Sequence, residues 1–222
     1  MLTVHHLNNS RSQRVLWLLE ELGVPYEIKF YQRDAKTMLA PPSLRKIHPL
    51  GKSPVIEDDG VIVAESGAIV EYLVERYGNG HFQPALGTPE RLRYTYWMHY
   101  AEGSIMPLMV MSLIFNTIPK SPMPFFAKPI ARGISDKVMK TFLGPNIKNH
   151  LDFIEGELGK SEWFAGNELT GADFQMSFPL EAAATRAGTG NYPKIAAWLK
   201  KVHARPAYQK GLEKGGPFAL LG

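Results

Sequence analysis

Apolar residues in the first third of the chain follow two different periods. Alternation in "LTVHH" (2–6) predicts a strand, while Val15, Leu16, Leu18, Leu19 and Leu22 form a helical stripe that stops at Gly23, with Pro25 beyond it. "YEIKFY" (26–31) reads as a second strand, and "PPSLRKI" as a short helical or irregular stretch. "PVIEDD" and "VIVAE" then read as two strands turned at Asp59-Gly60, followed by a helix from about Ser66 to Tyr77. The stretch "GNGHFQPALGTP" (78–89) is rich in Gly and Pro and lacks periodicity, so it reads as a linker.

Beyond the linker every pattern is helical. Pro89 opens a long helix that Pro107 is expected to bend, the prolines of "PKSPMPFFAKP" interrupt the chain, and a second long helix runs to about Gly159. Thr170 and Asp173 have the spacing of a capping box, with Leu169 placed to staple onto Phe174. Two more helices, broken at Pro206, close the pattern. A switch from α+β to all-α predicts a domain over 1–78, a linker over 79–88 and an all-helical domain over 89–222.

Composition removes several functions. The 25 Lys plus Arg against 21 Asp plus Glu are scattered along the chain, which describes a solvated surface rather than a nucleic-acid-binding one. There is no cysteine, so disulfides, thiolate metal sites and a cysteine nucleophile are excluded. The longest apolar run, Ile105 to Phe115, is too short to span a bilayer and contains Pro107 and Ser112. With no secretory pattern at the N-terminus, the expectation is a soluble cytoplasmic protein without membrane insertion.

Motif matching excludes more. "PLGKSP" lacks the earlier glycine of a phosphate-binding loop, and Pro54 cannot continue into the required helix. His5 and His6 are neighbours on a strand and face opposite sides, so they cannot share a metal. No G-x-S-x-G elbow exists for a serine hydrolase.

Two stretches retain chemical interest. Asn8, Asn9, Ser10, Ser12 and Gln13 crowd the start of the first helix, where Ser10 as N-cap and Gln13 at the third helical position make a capping box. A hydroxyl and free N–H groups there also suit an anion. Arg11 and Arg14 either add positive potential there or face solvent, and the second is expected. In "GKSPVIEDDGVIVAES" (51–66), a cis Ser53-Pro54 bond would leave the Val55 backbone unpaired at the domain edge, open to an extended peptide. Glu65 could take an amine, and Ser66 with its helix N–H groups a carboxylate.

The serine before the first helix, "HPLGKSPV", "AESGAIVEYL", "LTGADF" and "ARPAYQKGLEKGG", in this order and spacing, resemble the cytosolic glutathione transferases over nearly the whole chain. The nearest likeness is to the bacterial and fungal branch with a serine at that place. The resemblance implies a thioredoxin-like N-terminal domain, an all-α C-terminal domain, a homodimer, and glutathione as cosubstrate with no other cofactor and no metal. It implies a cis Pro54 and a glutathione site of Lys52, Ser53, Pro54, Val55, Glu65 and Ser66. In that site Lys52 meets the glycyl carboxylate, Val55 the cysteinyl backbone, and Glu65 and Ser66 the γ-glutamyl end.

Ser10 would then donate a hydrogen bond to the glutathione sulfur, alone or with Asn9 and Ser12. Each pKa unit by which that thiol falls from about 8.5 is worth about 1.4 kcal/mol. The acceptor site implied between the domains has Tyr100, Ser104, Met109 and Phe115 as its expected lining, and the proline-rich 119–129 stretch forms either a flap or an irregular loop. The implied activity is conjugation of glutathione to small hydrophobic electrophiles in detoxification, with organic hydroperoxide reduction as a second activity. A non-catalytic binding or regulatory protein, or a glutathione-dependent isomerase, is the alternative.

Overall fold

The computed structural model describes residues 1–188 and 190–221. Its four strands are β1 (Leu2–Leu7), β2 (Tyr26–Tyr31), β3 (Val55–Asp58) and β4 (Val61–Ala64), in the order β2-β1-β3-β4. β1 runs parallel to β2, which requires the crossover helix α1 (Ser12–Leu22), and antiparallel to β3. Gly23 ends α1 in the left-handed conformation, φ 66°, as the sequence stop predicts. Asp59 and Gly60 both take positive φ, 47° and 85°, as a two-residue hairpin turn between β3 and β4 needs. The helix α2 (Ser66–Tyr77) matches its expected bounds.

From Pro89 onward the structure is helical. α3 (Pro89–Tyr100) starts on a Thr88 cap, passes through a π turn at Ala101–Ile105 and continues as α4 (Met106–Thr117). After α5 (Ala127–Val138), a second π turn, Met139–Leu143, leads into α6 (Gly144–Glu157). Each π turn lies just before a proline, Pro107 or Pro145. A proline has no N–H for the preceding turn and its ring crowds the carbonyl four residues back, so the widened turn is a local accommodation.

α7 (Gly171–Ala187) is the central post of the helical part, buried from Thr170 through Ala183. Its capping box forms as expected: Thr170 N–H and Oγ1 both donate to Asp173 Oδ2, at 2.9 and 3.0 Å. α8 (Pro193–His203) and α9 (Pro206–Gly215) follow, and then a 3-10 turn at Ala219–Leu221. α9 lies directly on α1: a methyl added at Gly211 would sit 3.1 Å from Trp17 N. Trp17 also packs edge-on against Phe174 of α7 and Tyr208 of α9, with ring centres 4.4 and 5.5 Å away.

One predicted start is wrong. α1 begins at Ser12 with Arg11 as its N-cap, so the Ser10–Gln13 capping box does not form. Asn9 turns the chain at φ 50°, and Ser10 stands one residue ahead of the cap. Gln13 lies beneath α9, where its Oε1 is 2.5 Å from the position of a methyl on Gly215, and so cannot reach back to Ser10.

Candidate functional site: the entry to α1 and the head of α2

Ser10 belongs to a buried chain of hydroxyls that ends on a histidine. Its Oγ lies 2.7 Å from Ser12 Oγ and accepts the Ser12 N–H at 3.2 Å. Ser12 Oγ in turn lies 2.9 Å from His6 Nδ1 and 3.3 Å from the Leu7 carbonyl. His6 comes from β1, and its far side meets the Gly215 backbone of α9. Burial pushes the His6 imidazole below its ordinary value, so it is neutral at pH 7. Ser12 has no exposed surface and can act on a ligand only through Ser10, which keeps 4 %. Asn9 Oδ1 accepts the Ala219 N–H at 2.7 Å, which ties the C-terminal segment to this turn.

Beside this chain lies an ion cluster that corrects the expectation for Arg11 and Arg14. Arg14 is 2 % exposed and donates to Gln175 O, Gln175 Oε1 and Glu102 Oε1, at 2.8, 2.7 and 2.8 Å. Arg11 Nε spans both Glu102 oxygens at 3.0 and 2.9 Å. The first turn of α1 is covered by the π turn after α3 and by α7, whose Glu102 and Gln175 supply those acceptors, Gln175 from both its side chain and its backbone carbonyl. Burial brings Arg14 down to about 10, still charged at neutral pH. Burial alone would raise Glu102, but Arg14 and Arg11 outweigh it and hold the carboxyl below its ordinary range.

Glu102 also reaches Ser66, whose Oγ donates to Oε1 at 3.5 Å. Ser66 is buried at the first position of α2, and Glu65 before it is exposed with φ 72°, a conformation that costs a non-glycine residue roughly 1–3 kcal/mol. These residues, with Met98, Glu102 and Gln175, line a cavity of about 460 Å³.

The Ser53-Pro54 bond is cis. Ser53 Oγ donates to the His5 carbonyl at 2.9 Å and accepts the Leu7 N–H at 3.3 Å, bracing this loop on β1. Val55 heads β3, in register with His5 of β1 and Ala64 of β4. β3 is therefore an inner strand and offers no free sheet edge at Val55, contrary to expectation. Lys52 is exposed just before this strand.

The comparisons decide what this arrangement belongs to. The family models for the glutathione S-transferase N-terminal and C-terminal domains match residues 1–75 and 119–206. The chain is 40% identical over 216 residues to glutathione S-transferase 3 of Schizosaccharomyces pombe, covering 96% of this chain and 88% of that one. The chain belongs to the glutathione S-transferase family. A second relative, glutathione S-transferase 1 of Saccharomyces cerevisiae, is 38% identical over 223 residues, covering 96% and 95% of the two chains. The crystal structure of a glutathione S-transferase from Actinobacillus pleuropneumoniae superposes with a TM-score of 0.84 at 34% identity, over 100% and 96% of the chains. The protein is thus a glutathione transferase, with the family's thioredoxin-like and helical parts.

The four expected acceptor residues lie in different surroundings. Tyr100 is buried among Tyr96, Trp97 and Phe153, hydrogen-bonded to His150. Met109 is 2 % exposed and turns towards Met139, Ile147 and Leu151 in a separate cavity of about 450 Å³. Phe115 packs against the core, and Ser104 is half-buried in the π turn. A stripe of Gly103, Pro107, Val110, Leu113, Ile114 and Thr117, which begins beside Glu102, is open instead. Its three- and four-residue spacing was readable in the sequence, but the buried and open faces of α4 are both apolar. In 119–129 the chain forms a 3-10 turn at Ile118–Lys120, bends, and enters α5 with Phe125 and Phe126 exposed.

Proposed function

We propose that this transferase holds glutathione across the head of β3 and the N-terminus of α2, with the sulfur at Ser10, and conjugates it to small hydrophobic electrophiles. The observation that carries the reading is the hydroxyl chain. When Ser12 donates its O–H to Ser10 Oγ, that oxygen receives two inward donors, the Ser12 hydroxyl and N–H. The Ser10 proton is then the one bond left to point outward, at a thiolate.

In the proposed complex, Glu65 takes the glutathione amine. Ser66 and the free N–H groups of α2 take the adjacent carboxylate. The Val55 backbone meets the cysteinyl unit, with Ser53 and cis Pro54 shaping the loop, and Lys52 balances the glycyl carboxylate. The thiol proton leaves to water, and Ser10 stabilises the resulting thiolate. Its sulfur forms a bond to the electrophilic carbon as the leaving group departs with the bonding pair. Val110, Leu113 and Ile114 of α4 supply an apolar wall for the acceptor.

We also propose a cytoplasmic homodimer that works in detoxification, pairing through the exposed apolar residues Val61 and Ile62 of edge strand β4 and Leu92 and Tyr96 of α3. Ser10→Ala tests the chemistry. Loss of one hydrogen bond to a charged sulfur, about 1.5–3 kcal/mol, lowers kcat/KM roughly 10- to 100-fold and raises the bound thiol's pKa. Assays with a halo-aromatic electrophile and an organic hydroperoxide separate the two activities. Retention on immobilised glutathione without turnover of either would overturn the catalytic reading, and an unchanged Ser10→Ala rate would overturn the role of Ser10.

A further inference from the structure

The tip joining α4 to α5 has no part in the proposed glutathione site, yet it leaves several large apolar side chains open. Phe125, Phe126 and Ile130 are 85, 66 and 65 % exposed, and Ile118, Ile134 and Phe142 lie open around them. Phe126, Ile130 and Ile134 recur every four residues and so form one stripe along α5. The one buried residue of α5 is a serine: Ser135 donates to the Phe115 carbonyl of α4 at 2.6 Å. α5 thus holds to α4 by a hydroxyl and turns its large apolar side chains outward, the reverse of a helix that serves a core.

Charge marks the same segment. Residues 118–143 carry Lys120, Lys128, Arg132, Lys137 and Lys140 against the single acid Asp136, a net +4 equal to the formal charge of the whole chain. The rest of the protein is neutral in sum. All five basic side chains are exposed, and among the described residues none pairs with a carboxylate.

We propose that the α4–α5 hairpin is a peripheral docking surface for an anionic lipid bilayer. Phe125, Phe126 and the α5 stripe lie in the boundary between headgroups and acyl chains, with Lys120, Lys128 and Arg132 at the phosphates. Aromatic and branched apolar residues interleaved with unpaired cations fit that layered solvent. A second copy fits worse, because an isologous contact would press two +4 faces together. The bilayer is not crossed. The continuous helical run Pro89–Lys120 has the length and composition for that, but Glu102 in its middle is locked to Arg11 and Arg14, and Tyr94 and Trp97 lie in the core.

Co-sedimentation of the full chain with vesicles tests this, using phosphatidylcholine alone and phosphatidylcholine with phosphatidylserine. The expected result is binding to the anionic vesicles, weakened at least about tenfold by raising the salt from 0.05 to about 0.5 M. The double variants F125S/F126S and K128E/R132E each weaken binding by about tenfold or more while conjugation of a soluble electrophile stays at the unmodified rate, which shows that both are folded. Equal binding to both vesicle types, full binding by K128E/R132E, or no binding at all would overturn the proposal. So would a hairpin-dependent rise in molecular mass with protein concentration in place of lipid binding.

Discussion

Replacing His6 by leucine isolates the polarity of the hydroxyl chain. His6 Nδ1 lies 2.9 Å from Ser12 Oγ, and Ser12 Oγ lies 2.7 Å from Ser10 Oγ. The outward order, His6 to Ser12, Ser12 to Ser10 and Ser10 to the sulfur, requires that the neutral imidazole carry its one proton on Nδ1 and give none to the Gly215 backbone from Nε2. With leucine in place of His6, the partners left to the Ser12 proton are the Leu7 carbonyl at 3.3 Å and Ser10. A Ser12 that donates to Leu7 draws the Ser10 proton inward and away from the sulfur. The loss is one charge-assisted hydrogen bond, about 1.5–3 kcal/mol, which raises the thiol pKa of bound glutathione by about 1–2 units. A titration of the thiolate's ultraviolet absorbance in the complex reads this directly, and the pH profile of kcat/KM shifts alkaline with it. His6→Asn, whose amide can place an N–H near the Nδ1 position, restores most of the shift. A His6→Leu protein that binds glutathione normally and keeps the unmodified thiol pKa would refute the reasoning.

Two further outcomes follow from the buried charges. Glu102→Gln strips Arg14 of its counter-ion in a site where that guanidinium is 2 % exposed, so unfolding free energy measured in urea falls by about 3–5 kcal/mol. A loss below about 1 kcal/mol would show that Gln175 alone satisfies Arg14. Burial lowers both His5 and His6 from the ordinary 6.5, so the folded protein binds fewer protons there than the unfolded chain does. Their contribution to stability is complete above the unfolded value and is lost as pH falls through the lower folded values. The urea midpoint therefore drops between about pH 7 and pH 5, and a midpoint that is flat or rising over that range would contradict the assignment.

The parts of the fold legible in the sequence are those set by near neighbours. Asp59-Gly60 dictates its turn, Gly23 its helix stop, and the Thr170/Asp173 pair its capping box. α1 read one residue too early because the left-handed turn at Asn9 delays the first helical residue to Ser12, a choice that the capping spacing does not encode. Arg11 and Arg14 read as solvent-facing because their partners, Glu102 and Gln175, lie in other elements far along the chain. The Ser10–Ser12–His6 chain was half visible: the serines stood out, but His6 joins them only because β1 and the turn after it fold side by side. Met109 stands on α4, whose buried and open faces are both apolar, so periodicity cannot tell a cleft from a core there, and Tyr100 is enclosed by His150 and Phe153 of α6, far along the chain.

The contact of α1 with the end of the chain bears on how the protein comes to exist. α1 is synthesised well before α7 and α9, yet its Trp17 is enclosed by Phe174 and Tyr208, its Arg14 by Gln175 and its Glu21 by Arg205. On the ribosome, then, the sheet can form early, but the helix that presents Ser10 keeps an uncovered apolar flank until α9 has emerged. The thioredoxin-like half is laid down before the helical half and finished after it. Cutting the chain between α2 and α3 would accordingly yield two mutually dependent fragments, not a free-standing binding module.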